Sequence, residues 1–258
     1  MKPIKKALVV YFTKYYSSFL KARKALEKVM TVYSTHRENE KYIKKMVGKV
    51  DAVLVVGGDG TLLRASHFIE KTPVLHISSG TDSHEAFYAR ASEKDIRRKA
   101  KLLAEGEYKT TPLMRLESTL NGKKIPYKAL NEVFAGGKKP YHTARCLLIV
   151  GSRKEEQKSS GIIISTPTGS YAWARSAGGK LLQQHENKMQ FIVREPYTGR
   201  IARPKMTRGI TSSPITLDSK IWHAGIVVVD SYQKEFPFNK GSKLVVKKAK
   251  QPFNLISF

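Results

Sequence analysis

The sequence predicts an α/β N-terminal domain built on a mainly parallel sheet, followed by a β-rich C-terminal domain. Three observations carry this expectation. In the first hundred residues, short apolar runs alternate with segments of helical period, the pattern of strands returned to one sheet by helices. From about Gly106 the texture changes to short apolar segments separated by Gly, Pro, Asn and Ser, which reads as β-structure. The 258 residues, 41% hydrophobic and 26% charged, suffice for two modest cores and exclude a disordered or collagenous chain. The expected division falls between 105 and 106.

Taken in order, Ala7 to Phe12 reads as a buried strand, and Ser17 to Val29 as a helix with Phe19, Ala22, Leu26 and Val29 on its core face. Asp51 to Val56 is a second strand. It runs directly into Gly57-Gly58-Asp59-Gly60-Thr61, after which Leu62 to Ser66 looks helical. Pro73 to Ser78 is a third short strand. Ser92 to Leu103 fits a helix with Ser92 as N-cap and Asp95 at the capping-box position. In the second half, Leu113–Leu120, Arg145–Val150, Gly161–Ser165, Ile221–Asp230 and Leu244–Val246 are the strand candidates.

Forty-seven basic against 21 acidic side chains leave a formal charge of +26, which points to polyanionic partners, phosphate-rich molecules or nucleic acid first. The single cysteine, Cys146, cannot form an internal disulfide or a multi-thiolate metal site, so a reducing compartment and a small buried thiol are expected. Ala7 to Phe12 is too short for a secretory core, and no stretch approaches a membrane span, so the expected location is the cytoplasm, with no membrane partner. The seven histidines show no ligand spacing, and His76 and His84 read as packing or solvent residues.

Three segments carry chemistry. In Gly57-Gly58-Asp59-Gly60-Thr61, glycines at a strand-to-helix corner let backbone N–H groups approach an anion, with the positive end of the helix dipole behind them. Gly57, Gly58, Gly60 and Thr61 are therefore phosphate-binding candidates. Asp59 would repel phosphate, and makes better sense accepting a proton from an attacking hydroxyl or holding Mg²⁺. No G-x-x-x-x-G-K-[ST] loop and no complete G-x-G-x-x-G fingerprint occurs, which removes the main support for a Walker or hydride-transfer reading. Asn131-Glu132 offers an amide beside a carboxylate, suited to ribose hydroxyls or base amines, although a turn explains it nearly as well. The run from Ser165 to Trp173 concentrates hydroxyls at a strand–turn–helix junction, with Tyr171 or Trp173 able to pack on a ring.

In this order, the GGDGT corner, the Asn-Glu pair and STPTGSYAWARSAGG resemble the NAD kinase family. Gln157 to Gly161, Gly169 to Trp173, Arg194-Glu195-Pro196 and Phe236 to Gly241 are similar to its mitochondrial-type members. The resemblance implies phosphorylation of the 2′-hydroxyl on the adenosine ribose of NAD, giving NADP, with ATP or polyphosphate as donor. It implies an N-terminal α/β domain at 1–105, with 250–258 returning to it, a dinucleotide-binding domain at 106–249, and an active site between them. Asp59 would be the base. Asn131 and Glu132 would bind the dinucleotide, Thr168, Ser170, Tyr171 and Ala172 would line the adenosine side, and Phe87 and Tyr88 would stand for the family's paired aromatics. A homodimer or larger assembly is implied, and a phosphate-bearing donor calls for a divalent ion such as Mg²⁺ without any protein metal cage. The sequence departs from the family at His76 to Gly80, where an Asn-Thr-Gly segment is usual, at Ser160, and at Asp230-Ser231. These changes fall on the nicotinamide end.

Two other readings use parts of the same pattern. Diacylglycerol- and sphingosine-type lipid kinases resemble the GGDGT corner, and Gly80-Thr81-Asp82-Ser83 is similar to their following segment, but STPTGS and the Asn-Glu pair are not expected there. A nucleic-acid-binding protein that keeps a kinase-like fold would use the +26 charge and Arg97-Arg98-Lys99, Lys138-Lys139 and Lys247-Lys248. Those runs are short and scattered, and solvated faces account for most of them.

Overall fold

The structure is a computed structural model that describes residues 1–79, 86–201, 203–230 and 232–258. Gly80-Thr81-Asp82-Ser83, His84 and Ser231 thus lie outside the described residues. The chain divides into two compact units, Met1–Leu113 with Gln251–Phe258, and Met114–Lys250. The division falls after Leu113 rather than at 105, because Lys109–Leu113 is a strand of the first unit's sheet.

In the first unit the apolar runs become β1 (Lys6–Tyr11), β3 (Ala52–Val56) and β4 (Val74–Ile77). All of β3 and β4 is buried, as a covered parallel sheet requires; β3 is a continuous apolar run and β4 one interrupted by His76. With β2 (Thr31–His36), β5 (Lys109–Leu113) and the C-terminal strand Phe253–Ser257, they form one six-stranded sheet in the order β2, β1, β3, β4, C-terminal strand, β5. The first four strands pair in parallel. The C-terminal strand runs parallel to β4, with Leu255 opposite Val74, and antiparallel to β5.

Helix α1 (Tyr16–Leu26) buries Phe19, Ala22 and Leu26, the face its spacing predicts, against a core that includes Val9, Leu54, Leu75 and Ile256. Val29 lies beyond the helix and packs on that core partly exposed. Both β2 and α2 (Glu40–Val47) escape a reading of the apolar pattern; Asn39 starts α2 by accepting a hydrogen bond from Tyr42 N–H at 3.2 Å. Helix α3 spans Asp59–Ser66, so it opens inside the glycine corner rather than at Leu62. At α4 (Ile96–Glu105), the Asp95 carboxylate accepts from Ser92 N–H at 2.7 Å, the reciprocal contact its position predicts. The regular helix nevertheless begins only at Ile96, after a turn, and ends on Gly106 at φ +79°, a left-handed cap.

The second unit is two six-stranded antiparallel sheets. One has β6 (Leu116–Leu120), β7 (Lys123–Lys124), β9 (Ala144–Val150), β10 (Arg153–Ser159), β14 (Ile215–Ser219) and β17 (Lys243–Lys248), in the order β10, β9, β14, β17, β6, β7. The other has β8 (Glu132–Gly137), β11 (Gly161–Ser165), β12 (Met189–Arg194), β13 (Arg208–Thr211), β15 (Gly225–Val229) and β16 (Phe236–Pro237), in the order β13, β12, β11, β8, β15, β16. The expected Leu113–Leu120 segment is therefore two strands, one in each unit, and Ile221–Asp230 shortens to β15. The centre of the second sheet matters for function: β8 begins at Glu132, β11 ends at Ser165, and these two residues are register partners.

Candidate active site

The glycine corner follows β3. Gly57 has φ +146°, a conformation that side chains rarely adopt, and a Cβ there would stand 2.9 Å from Thr61 Oγ1 and 3.1 Å from the Tyr15 ring. Its N–H donates to Ile77 O at 3.1 Å, and its carbonyl faces His76 Nε2 at 2.9 Å. Thr61 N–H donates to Gly58 O at 2.9 Å, and the Thr61 side chain is buried against Gly57. Gly57 and Thr61 are thus committed to building the corner. Among the described residues, the amides at Gly58 and Gly60 enter no hydrogen bond of sheet or helix, and a Cβ on Gly60 would meet nothing within 4 Å.

Asp59 is the first residue of α3, where a carboxylate is favoured by the helix dipole. Its Oδ2 accepts from Phe87 N–H at 2.9 Å and its Oδ1 from Tyr88 N–H at 3.3 Å. Its orientation is therefore set by backbone that follows β4. Tyr88 itself is buried with its ring edge-on to Phe87 at 5.0 Å, so the ring serves packing. His76, which sequence alone ranks with packing residues, lies fully buried at this corner with Nδ1 at 3.5 Å from Asp59 Oδ1.

In the second unit, the Asn-Glu pair and the STPTG run meet. Thr166 N–H donates to Asn131 O at 2.9 Å, and the hydroxyls of Thr166 and Thr168 both donate to Leu130 O, at 2.6 and 3.0 Å. A Cβ on Gly169 would collide with the Asn131 backbone, so only glycine lets the loop lie this close. Ser170 Oγ donates to Pro167 O at 2.6 Å and accepts from Leu182 N–H at 2.9 Å. Thr168 and Ser170 are buried and hold the loop's shape; Tyr171 and Ala172 remain half-buried. Trp173 packs on Phe134, ring centroids 5.1 Å apart, and so belongs to the core of this unit.

Asp230 organises the pair from behind. It sits at φ +50° just after β15, and its carboxylate accepts from the N–H groups of Leu130 and Asn131, each at 2.7 Å, and of Glu132 at 3.1 Å. Burial pushes its acidity constant up, against these donors and the Arg115 charge, which favour the anion. Glu132 is buried beside it. Burial first, and the Asp230 charge second, push Glu132 up to about 8, so near neutral pH its carboxyl carries a proton and offers both a donor and an acceptor. Sequence reasoning missed Asp230 as a binding-loop anchor and His76 as a neighbour of Asp59. Only the resemblance, by which Asp230 falls at a late Asp-Gly pair, held any signal for either.

Elsewhere, Cys146 is buried and its thiol is pushed up to about 12, by burial and then by Asp218, in keeping with an inert packing residue. Of the basic runs, Lys138 pairs with Glu235 at 2.8 Å and Lys247 with Glu117 at 3.5 Å. Among the described residues no three His, Cys, Asp or Glu side chains come together as a metal site, and no helix is long and apolar enough to cross a membrane.

The strand–glycine–helix corner with a carboxylate at its head, joined in one chain to a β-rich unit with a buried amide–carboxyl pair, has counterparts among known proteins. Residues 5–108 match the model of the ATP-NAD kinase N-terminal domain and residues 131–258 that of the ATP-NAD kinase C-terminal domain. The chain is 31% identical over 220 residues to the NAD kinase of Azotobacter vinelandii, covering 83% of this chain and 73% of that protein. It is 32% identical over 183 residues to a probable NADH kinase of Oryza sativa subsp. japonica, covering 62% and 56%. The matches with the first curated relatives span 46–58% of their lengths. The fold is that of the crystal structure of an Archaeoglobus fulgidus NAD kinase in complex with ATP, with a TM-score of 0.76 at 23% identity over 97% of this chain and 92% of that one. The chain belongs to the NAD kinase family.

Proposed function

We propose that this chain transfers a phosphoryl group from ATP or polyphosphate to the 2′-hydroxyl of the adenosine ribose of NAD, giving NADP. The observation that carries this reading is Asp59: a carboxylate fixed by two backbone N–H donors at the head of a helix whose glycine amides stand open to an anion. A carboxylate in that place opposes phosphate unless it serves the group that attacks the phosphate. Asp59 takes the hydroxyl proton as the oxygen bonds to phosphorus. Gly58 and Gly60 amides cradle the phosphate, and Gly57 and Thr61 keep the corner in shape. Asn131 and a protonated Glu132 hold ribose hydroxyls, and the exposed edges of Tyr171 and Ala172 border the adenosine.

The donor assignment is supported by the ATP in the Archaeoglobus relative. The rice relative's name makes NADH the second acceptor to assay. A divalent ion, Mg²⁺ in this reading, travels on the donor's phosphates and neutralises their charge during transfer. A homo-oligomer in the cytoplasm completes the proposal. The test is NADP formation by the purified chain with ATP–Mg²⁺ and with polyphosphate, offering NAD, NADH and a diacylglycerol as acceptors. Phosphorylation of the lipid alone, or of nothing, would overturn it, and full turnover in excess chelator would overturn the metal requirement.

A further inference from the structure

We propose that His76 is a positioning residue for Asp59, presenting the bare lone pair of Nδ1 to the carboxyl so that the proton taken from the substrate hydroxyl is held between the two side chains. The inference rests on the reading of Asp59 as the base and adds to it what makes that carboxylate a stronger one.

The argument begins with the tautomer. A carbonyl oxygen only accepts, so the 2.9 Å contact between His76 Nε2 and Gly57 O requires the hydrogen on Nε2. In the neutral ring, Nδ1 then carries a lone pair and no hydrogen. That atom is buried, has no hydrogen-bond partner among the described residues, and lies 3.5 Å from Asp59 Oδ1. With Asp59 ionised, two acceptors face each other across this gap. With one proton on the carboxyl, the same gap becomes an O–H···N hydrogen bond. The arrangement is thus unfavourable before proton transfer and favourable after it, which is the differential stabilisation a general base needs.

The surroundings keep that proton on the carboxyl side. Among the described residues, the charged groups that face His76 are Asp59 and Arg90; the Tyr15 phenol flanks the same corner beside Gly58. Burial first, offset by the Gly57 contact, and then the Arg90 charge hold the imidazole down to about 4, so the ring stays a neutral acceptor. In the step itself, the ribose O–H bond breaks and its proton passes to Asp59. The oxygen's electron pair forms the bond to phosphorus, and the bond from phosphorus to the donor's leaving oxygen breaks. The carboxyl proton then leaves to water.

The test uses two substitutions that separate the two ring nitrogens. In His76→Gln the side-chain amide reaches Gly57 O but leaves nothing at the Nδ1 position. In His76→Asn the amide oxygen sits at the Nδ1 position and the contact to Gly57 O is lost. With NAD and ATP–Mg²⁺, Gln should lower kcat by about two- to tenfold, the scale of one hydrogen bond between neutral groups. It should also move the acid limb of the kcat profile to lower pH while the KM for NAD holds. Asn should keep the wild-type limb at a lower Tm. Wild-type kcat and limb in the Gln variant would overturn the proposal, as would a fall in kcat with an unmoved limb. If the Gln variant fails to fold, the Asn variant decides, and a displaced limb there overturns the proposal. Failure of the underlying reading would show separately, as activity surviving in Asp59→Asn.

Discussion

A carboxylate that receives two backbone N–H groups is costly to move, so Asp59→Asn should leave the corner folded. Asn is no base and accepts only one of these two hydrogen bonds, its Nδ2 turning a donor toward the other N–H, so kcat for NADP formation is expected to fall by about 10²–10⁴ with a slightly lowered Tm; near-normal turnover would remove Asp59 from the chemistry. At Glu132 the expected readout is stability. Its acidity constant is raised from 4.5 to about 8, so the folded state binds a proton that the unfolded state has released over that interval. Stability should therefore be highest below pH 4.5 as far as this group is concerned and fall as pH rises through about 8. Tm measured across that window is expected to decline less steeply in Glu132→Gln than in the wild type; parallel curves would mean that Glu132 titrates normally. Asp59 and Glu132 draw notice in the sequence because each lies in a short polar motif, although a turn explains the Asn-Glu pair nearly as well. His76 and Asp230 act on residues far away in the chain, Asp230 on the N–H of Leu130 and His76 on the carboxylate of Asp59, and no local pattern encodes those meetings.

At the level of elements, the strands read correctly are mostly those at sheet centres. β3 and the Ile162–Ile164 stretch of β11 are continuous apolar runs, and β4 is one interrupted by His76, because both faces are covered. Among those that escaped, β2 ends the first sheet and β10, with the sequence RKEEQKS, ends another, while β8, β12 and β14 escaped from sheet interiors. Charge on an outer strand discourages pairing with other chains, and it erases the apolar alternation by which a strand is recognised. The junction after β11 makes a sharper case. Gly169 lies against the Asn131 backbone, so a methyl group there must push the STPTG loop off the strand it braces. Gly169→Ala is expected to cost about 1–3 kcal/mol in denaturant unfolding, and to raise the KM for NAD more than that for ATP. Wild-type stability in this variant would show that the loop yields freely.

For the whole molecule, the question of domain boundaries has a physical answer in the C-terminal strand. Phe253, Leu255 and Ile256 are buried in the first unit, where the strand joins β4 to β5. A chain lacking 251–258 is expected to lose hydrogen-exchange protection across residues 1–113, while the antiparallel sheets of 114–250 keep theirs. Equal protection in both chains would mean that β4 and β5 close without it. The +26 charge is a property of this same scale: it suits a protein whose proposed substrates all carry phosphate, and it says nothing about fold.

The place of that last strand also fixes an order of events during translation. Domains ordinarily fold from the N-terminus as they leave the ribosome, at roughly 5–20 residues per second. Here residues 1–113 emerge first and yet must wait for residues 253–257, a delay on the order of ten seconds at that pace. Through that interval β4 offers an unpaired parallel edge between apolar faces, the kind of surface that holdase chaperones cover and that nascent chains on neighbouring ribosomes can capture. The unit that carries Asp59 is thus completed only after residues 114–250 have been made.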